Sequence, residues 1–188
     1  MSVIVFFGPP CSGKGTLSKL LSEKLDMEVI DTGSMIRKEG KDQTVFGLFA
    51  KKIIDTGNLV PNKYLIPKMR EWIMEKTNNN GLIFDGYPRS VEQAKDLDVF
   101  TRARKTPVMH FFSLEADVSV LKERLIERGK TSGRADDKIE FFGTRMKNHT
   151  TKAQPILDYF KNRGIMSIVD TNKSIQETID EILSIVNQ

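Results

Sequence analysis

Two glycines and a lysine near the amino terminus have the spacing of a phosphate-binding loop. Gly8 and Gly13 are separated by four residues, and Lys14 follows directly. Glycines at this spacing let successive backbone N–H groups turn inward around a phosphate, and a lysine can reach the outer phosphates. A helix that starts at the same point adds partial positive charge. These residues therefore indicate a nucleotide phosphate site rather than a glycine-rich turn without a ligand.

The hydroxyl that usually follows the lysine of such a loop is displaced by one residue. Gly15 comes directly after Lys14, and the hydroxyl arrives at Thr16. In the usual motif a Ser or Thr directly after the lysine contacts Mg²⁺. The displaced hydroxyl leaves open how Mg²⁺ would be held.

Several cationic residues and one acid fall where loops should gather around that site. Asp85 follows the short apolar run Leu82–Phe84, and an acid at the end of a buried strand can hold Mg²⁺ or its waters. Two polyanionic substrates need several fixed cations, which overcome their repulsion and stabilise the phosphoryl group in transit. The sequence has no Ser-His-Asp or Cys-His arrangement that suggests a covalent intermediate. The arginines in or beside these loops are Arg37, Arg89, Arg124, Arg128, Arg134 and Arg145.

Short apolar runs alternate with amphipathic segments along the whole chain. This pattern predicts an α/β fold with an open parallel sheet, helices on both faces and ligands at the carboxyl ends of the strands. Pro67 and Pro155 lie inside predicted helices and should kink or divide them. The predicted strands are residues 3–7, 28–31, 82–84, 108–113 and 165–169.

Other polar and aromatic residues have simpler structural explanations. Trp72 and His110 are predicted to lie in or beside the core, and His149 is predicted to lie on the surface of a polar helix. Ser90 and Gln93 have the spacing of a capping box at a helix start. Residues 78–81 should end the preceding helix.

Length and composition favour one main domain in a reducing compartment. The 188 residues are 39% hydrophobic, and the net charge is only +4 with 25 acidic residues, so no basic arm for nucleic acid or a membrane surface stands out. A single cysteine, Cys11, excludes an internal disulfide. The amino terminus lacks the pattern of a signal peptide, and no apolar run approaches a membrane span. We expect a cytoplasmic protein with no nucleic-acid or membrane partner.

Two stretches carry a resemblance to a known family. Residues 82–93, from Leu82 to Gln93, match the signature of adenylate kinases, and Gly13 to Thr16 match the family's variant phosphate loop. The chain resembles the short-lid type of this family over nearly its whole length. The resemblance implies a P-loop NTPase-type fold with a five-stranded parallel sheet, and reversible transfer of the terminal phosphoryl group of ATP to AMP, giving two ADP. It also implies a monomer, with Mg²⁺ held largely by nucleotide phosphates and waters near Asp85 and with no structural zinc.

The same resemblance implies a division of a single nucleoside monophosphate kinase domain. The core comprises residues 1–31, 62–127 and 139–188. Residues 32–61 form the AMP-binding flap, and residues 128–138 form a short lid. Asp136 and Asp137 in the lid are expected to help it close.

Roles for individual residues follow from the resemblance in the same way. The catalytic residues are Lys14, Arg89, Arg124, Arg134 and Arg145. Arg37 and Arg89 are expected to bind the AMP phosphate, whereas Lys14 and the other arginines contact the ATP phosphates or the group in transit. The ATP-binding residues are Gly8, Pro10, Cys11, Ser12, Gly13, Lys14, Gly15, Thr16, Arg124 and Arg128. The AMP-binding residues are Thr32, Gly33, Arg37, Gly57, Asn58, Leu59, Val60, Gly86, Arg89, Gln93, Arg134 and Arg145.

Two alternatives to this function are open from the residues alone. A UMP/CMP kinase would usually carry Ala at position 32 and Asn at position 93, whereas Thr32 and Gln93 are the adenine-type residues. A nucleotide-binding regulatory module would leave the arginines unexplained. Donor preference for ATP over GTP is not specified by the sequence.

Four positions depart from the family pattern. Cys11 replaces a usual Gly, Leu17 a usual Gln, and Ser34 the usual Asp of a Thr-Gly-Asp motif. An expected Tyr is missing around His149. The loss of an acid at Ser34 removes one charge near the acceptor site, but both arginines for the acceptor phosphate remain.

Overall fold

The computed structural model describes residues 2–76 and 80–187. Strands and helices alternate from the amino terminus, as the apolar pattern predicts. The strands are β1 (Ser2–Phe7), β2 (Glu28–Asp31), β3 (Gly81–Asp85), β4 (Val108–Glu115) and β5 (Met166–Asp170). The helices are α1 (Lys14–Leu25), α2 (Thr32–Lys41), α3 (Val45–Ile54), α4 (Asn62–Met74), α5 (Val91–Ala103), α6 (Val118–Gly129), α7 (Ile139–Lys161) and α8 (Ile175–Val186).

The five strands form one sheet in the order β2-β3-β1-β4-β5. Every neighbouring pair is parallel, and β1 occupies the centre of the sheet between β3 and β4. The predicted open parallel sheet, with helices around it, is therefore confirmed. All the strands run in one direction, so the loops after them meet at a single edge of the sheet.

Alternate residues of β1 pack in two separate hydrophobic clusters, one on each face of the sheet. Val3, Val5 and Phe7 pack in a cluster with residues of α4, α5 and α7. Ile4 and Phe6 pack in a second cluster with residues of α1 and α8. Both faces of the strand are covered, and this explains why its sequence is a continuous apolar run rather than an alternating one.

The two prolines in predicted helices divide neither of them. Pro67 lies inside the uninterrupted helix α4, and Pro155 lies inside the 23-residue helix α7. The residues that follow Pro155 are held by the core, where Ile156 and Phe160 are fully buried. That packing offsets the backbone hydrogen bond that each proline removes. The turn predicted after α4 begins outside the described residues.

Helices α2 and α3 approach each other more closely than any side chain would permit. A Cβ atom added to Gly47 on α3 would lie 2.2 Å from the carbonyl carbon of Glu39 on α2. Glu39 also ties this helix pair to α4, since it accepts hydrogen bonds from Thr44 at 2.7 Å and from the Trp72 indole at 3.0 Å. Trp72 is 2% exposed, which confirms its predicted place in the core.

We expect Gly47→Ala to destabilise the protein, because a methyl group there forces the backbones of α2 and α3 apart. Overpacking of this kind costs about 1–3 kcal/mol in the free energy of unfolding. Gly143 on α7 is a matched control, since a Cβ there meets nothing within 4 Å. Gly143→Ala should stabilise the protein by about 0.5–1 kcal/mol through helix propensity. Urea denaturation compares the two variants, and equal midpoints would contradict the close approach.

Among residues 2–76 and 80–187, no helix combines the length and apolar character needed to cross a bilayer.

Candidate active site

A cleft of about 790 Å³ opens at the carboxyl edge of the sheet. Its walls come from the loop after β1, from α2 and the segment after α3, from the loop after β3, and from α6 and α7. The structure brings every predicted site residue to this one cleft, although their individual roles remain predictions. They are Gly8, Pro10, Cys11, Ser12, Gly13, Lys14, Gly15, Thr16, Thr32, Gly33, Arg37, Gly57, Asn58, Leu59, Val60, Asp85, Gly86, Arg89, Gln93, Arg124, Arg128, Arg134 and Arg145.

The loop between β1 and α1 has the backbone conformation that its glycines predict. Gly8 has a φ of +155°, and a Cβ there would lie 2.7 Å from the carbonyl oxygen of Leu114. Gly13 has a φ of +91° at the residue before α1. No side chain caps the start of α1, so its first backbone N–H groups face the cleft without an intrahelical partner. This is the arrangement that binds phosphate at a helix start.

Cys11, which stands where the family usually has glycine, also has a left-handed backbone, with a φ of +65°. A side chain in this conformation costs about 1–2 kcal/mol. The thiol is buried against Leu121, Leu125 and Phe142, and this contact offsets part of the cost. Burial also raises the pKa of the Cys11 thiol, which keeps it protonated and unreactive.

Lys14 bends back over the loop that precedes it. Its Nζ donates to the carbonyl oxygens of Gly8 at 2.9 Å and Pro9 at 2.6 Å and to the Ser12 hydroxyl at 3.2 Å. Burial lowers the pKa of Lys14 to about 8, and Arg89 and Arg145 add to that effect, whereas Asp85 opposes it. An ammonium held this way among cations gains from the arrival of an anion.

Three glycines in the predicted acceptor region each lie against one arginine. A Cβ on Gly33 would lie 3.0 Å from a terminal nitrogen of Arg37, and one on Gly86 would lie 3.0 Å from a terminal nitrogen of Arg89. A Cβ on Gly57 would lie 3.0 Å from Cγ of Arg145. The glycines therefore leave the space in which these arginine side chains lie along the cleft wall.

The carboxylate of Asp31 lies at the start of α2, in contact with Ser34. The Asp31 side chain accepts hydrogen bonds from the backbone N–H of Ser34, at 3.1 Å, and from the Ser34 hydroxyl. It thereby caps α2, and it lines the cleft. Asp31, one residue before Thr32, is therefore the helix cap, and its carboxylate adds a negative charge next to Ser34.

Asp31 and Asp85 end neighbouring strands in register. Asp85 is 9% exposed, and burial raises the pKa of its carboxyl, while Lys14 opposes the rise and Asp31 adds to it. A Cβ on Gly15 would lie 3.3 Å from a carboxylate oxygen of Asp85, so glycine leaves room beside that oxygen. Hard carboxylate oxygens suit Mg²⁺, which takes one or two of them together with phosphate oxygens and water. Within the described part of the chain, no three His, Cys, Asp or Glu side chains are grouped to hold a metal ion.

Two of the polar side chains that line the cleft, those of Thr32 and Gln93, are buried. The Thr32 hydroxyl is buried and has no hydrogen-bond partner within the described residues. Gln93 is 3% exposed and lines the same region. The capping box predicted at Ser90 is only half formed, since Ser90 accepts from the Gln93 N–H at 3.2 Å. The Gln93 side chain instead accepts from the backbone N–H of Arg89 at 2.7 Å.

The predicted lid carries two acids that pair with arginines of α6 and α7. Asp137 is 1% exposed at its side chain and accepts two hydrogen bonds from Arg128, one of them at 2.8 Å. Arg145 donates to Asp137 at 3.1 Å and forms an ion pair with Asp136 at 3.1 Å. These pairs hold residues 136 and 137 of the predicted lid against α6 and α7 beside the cleft.

We expect Asp137→Asn to weaken this anchoring, because an amide replaces the charge that two arginines share. Loss of hydrogen bonds between charged groups costs about 2 kcal/mol in the free energy of unfolding. The exposed Glu140 forms a long ion pair with Lys138, at 3.8 Å, and Glu140→Gln serves as the control. Urea denaturation of the two variants and of the unmodified protein gives the comparison.

The same variant has an expected pH dependence. Hydrogen bonds from Arg128 hold the pKa of Asp137 below its ordinary value of 3.8, against the opposing effect of burial. The unfolded chain therefore binds the proton more readily, and the stabilisation is complete above that ordinary value and lost as pH falls through the lowered pKa. The stability difference between the unmodified protein and Asp137→Asn should shrink over this acidic window. A constant difference would contradict the ion pairs.

Sequence reasoning missed one face of α7. Asn148, His149 and Lys152 line the cleft together with Arg145. Their spacing of three, four and seven residues from Arg145 is the signal that could have placed them on the same helical face. Asn148 donates to the carbonyl oxygen of Gly57 at 3.1 Å, so it ties α7 to the segment after α3.

His149 is half-buried in the cleft rather than on the surface, so that prediction is wrong. Its ring lies 4.9 Å from the ring of Phe7. Burial, with Lys14 and Arg89 nearby, lowers the pKa of His149 to about 4, and the imidazole is neutral at neutral pH. His110, by contrast, is half-buried on the sheet against Phe112, as predicted.

Comparison with known proteins agrees with this geometry. The family model described as adenylate kinase matches residues 6–165. An adenylate kinase of Flavobacterium psychrophilum is 36% identical over 185 residues, which cover 98% of this chain and 97% of that protein. An adenylate kinase of Leptospira biflexa is 35% identical over 183 residues, covering 97% of this chain and 98% of that protein. Since the family model covers most of the chain and these relatives match nearly its whole length, the chain belongs to the adenylate kinase family.

Proposed function

We propose that the protein catalyses reversible, Mg²⁺-dependent transfer of the terminal phosphoryl group of ATP to AMP, giving two ADP. The observation that carries the proposal is a single cleft lined by the phosphate loop, by a second group of polar residues and by several arginines. The phosphate loop alone would be enough to bind one nucleotide. The second pocket, with its own arginines, is explained by a second phosphate-bearing substrate.

On the donor side, the loop from Gly8 to Thr16 cradles the ATP phosphates with its backbone N–H groups. Lys14 exchanges the loop carbonyls for the outer phosphates when the nucleotide arrives. Arg124 donates to the carbonyl oxygen of Thr171 at 2.6 Å in the structure, which holds its side chain beside the loop. Arg128 reaches the donor phosphates from the next turn of α6.

On the acceptor side, Arg37 of α2 and Arg89 of the loop after β3 bind the AMP phosphate. The base lies along the backbone of residues 57–60, and Thr32 and Gln93 present hydrogen-bonding groups to it. The buried Thr32 hydroxyl, which lacks a partner in the described structure, supports a ligand at this place. Thr32 and Gln93 are the adenine-type residues at the two positions that would differ in a UMP/CMP kinase.

Catalysis in this arrangement is positioning and charge stabilisation. A phosphate oxygen of AMP forms a bond to the terminal phosphorus of ATP while the bond from that phosphorus to the bridging oxygen breaks, which leaves ADP on each side. The attacking oxygen is already anionic, so no protein base is needed. Lys14, Arg89 and Arg145 stabilise the charge in transit, and closure of the lid excludes the water that would hydrolyse ATP.

Asp85 is the residue that would hold Mg²⁺, through water, beside the donor phosphates. Bound Mg²⁺ would neutralise phosphate charge and orient the terminal phosphoryl group. Asp31, at the end of the neighbouring strand, adds negative charge on the same side of the cleft.

We also propose that residues 32–61 and 128–138 move as the flap and lid, and that the protein acts as a cytoplasmic monomer.

A panel of nucleotides tests the proposal. The purified protein is incubated with Mg²⁺ and ATP or GTP as donor, and with AMP, CMP or UMP as acceptor. The expected result is two ADP formed for each ATP and AMP consumed. Faster turnover of CMP than of AMP would favour the UMP/CMP kinase. Hydrolysis of ATP without consumption of AMP would favour the regulatory module.

A further inference from the structure

The carboxamide of Gln93 is held at both of its ends. Its oxygen accepts from the backbone N–H of Arg89 at 2.7 Å, and its nitrogen donates to the side-chain oxygen of Asn62 at 2.8 Å. We propose that Asn62 is a positioning residue, which locks the orientation of this carboxamide and thereby makes the acceptor site select 6-amino purines over 6-oxo purines. The inference rests on the proposed function, in which Gln93 reads the acceptor base.

The donors and acceptors of this hydrogen-bond network are fixed, because one group in it can only accept and another can only donate. The Asn62 amide nitrogen donates to the carboxylate of Glu92 at 2.6 Å and to the Ser90 hydroxyl at 3.1 Å. An ionised carboxylate only accepts hydrogen bonds, so the Asn62 nitrogen must face Glu92, and its oxygen must face Gln93. The hydrogen bond at the Arg89 end of the network is equally fixed, because the backbone N–H of Arg89 can only donate. A flipped Gln93 would meet a donor at Arg89 and an acceptor at Asn62, with two hydrogen bonds lost.

The fixed orientation matters because a carboxamide presents a donor and an acceptor side by side. After the two bonds described, the Gln93 nitrogen keeps one hydrogen and the oxygen keeps one lone pair. Adenine offers an amino donor at position 6 and an acceptor at N1, which this pattern can satisfy. Hypoxanthine offers the reverse, an acceptor at position 6 and a donor at N1. A carboxamide that could flip would serve both bases, whereas a locked one serves only one of them.

The location of Asn62 suits this role. It is the first residue of α4 and follows closely after Leu59 and Val60, which line the cleft beside Gln93. The network therefore connects the backbone along the base pocket to the start of α5. Another polar contact between the same two helices, Arg70 with Asp96, has no contact with Gln93 in the described structure. That pair allows the positioning role to be separated from a general tie between α4 and α5.

The test measures kcat/KM with ATP as donor and with AMP or inosine monophosphate as acceptor. In Asn62→Leu the ratio of the two kcat/KM values should fall about tenfold, the effect of one lost hydrogen bond in a recognition contact. The ratio should move mainly through the two acceptor KM values. In Arg70→Leu, the matched control, it should stay within twofold. Asn62→Ala gives the same comparison if leucine disturbs folding, as judged by circular dichroism.

A double variant provides a rescue. In Asn62→Asp with Glu92→Gln, the new carboxylate still accepts from Gln93 and also accepts from the new amide at position 92. The AMP preference should return to near that of the unmodified protein.

An unmodified protein that makes no ADP from AMP would overturn the proposed function itself. An active protein whose AMP preference is unchanged in Asn62→Leu, or equally reduced in Arg70→Leu, would overturn the positioning role alone.

Discussion

Replacement of Lys14 by methionine is expected to reduce kcat by about 10²- to 10⁴-fold, because it removes a positive charge that acts on the phosphoryl group in transit. Methionine keeps much of the length of the side chain without its charge. The Lys14 ammonium donates hydrogen bonds to the carbonyl oxygens of Gly8 and Pro9. It therefore lies next to the start of α1, where the phosphates would bind. Steady-state rates of ADP formation, at saturating ATP and AMP, measure the effect.

The same substitution should leave the fold intact. Lys14 has a lowered pKa because its ammonium is buried among cations, so loss of the charge relieves an unfavourable environment while it removes three hydrogen bonds. Lys19 is exposed on the same helix, and Lys19→Met is the matched control with unchanged turnover. A Lys14→Met protein that retained more than a tenth of kcat, with an unchanged melting temperature, would exclude the proposed role of this lysine.

The sheet could be predicted from the sequence because its signals are local. A run such as Val3–Phe7 is apolar at every position, and only a strand that is covered on both faces requires that. The alternation of such runs with amphipathic segments then leaves few topologies. The prolines were predicted to kink or divide their helices, and the division is wrong, since Pro67 and Pro155 each lie inside one continuous helix.

The candidate site was predictable where residue type alone decides the chemistry. The phosphate loop and the arginines were found because glycines and guanidinium groups have few other reasons to gather there. Asp31 was overlooked although its contact is local, since it stands three residues before Ser34 and caps α2. His149 was placed on the surface because its contact with Phe7 joins α7 to β1 and depends on the tertiary fold.

Two of the positions that depart from the family pattern have contacts that hold them in place. Ser34 donates to the carboxylate of Asp31 from its backbone N–H and from its hydroxyl. Cys11 has a left-handed backbone, and its thiol packs with Leu121, Leu125 and Phe142. In both cases neighbouring side chains fix the residue that departs from the pattern.

Arg89→Ala should lower kcat by about 10²- to 10³-fold and raise the KM for AMP by about tenfold or more. Arg89 lies on the loop after β3, where it lines the cleft and its Nε donates to the Gly86 carbonyl oxygen at 2.9 Å. Burial, with Arg145 nearby, lowers the pKa of this guanidinium, but an arginine stays charged in proteins. An acceptor phosphate would be its natural counter-ion.

The KM for ATP separates this prediction from a general loss of structure. If Arg89 binds the acceptor phosphate, its removal should leave the KM for ATP within about threefold, whereas a disturbed phosphate loop would raise both KM values. Arg104, directly after the end of α5, stacks on Phe100, and Arg104→Ala is the control with unchanged kinetics. Equal increases in both KM values for Arg89→Ala would show that this arginine supports the whole cleft rather than the acceptor pocket.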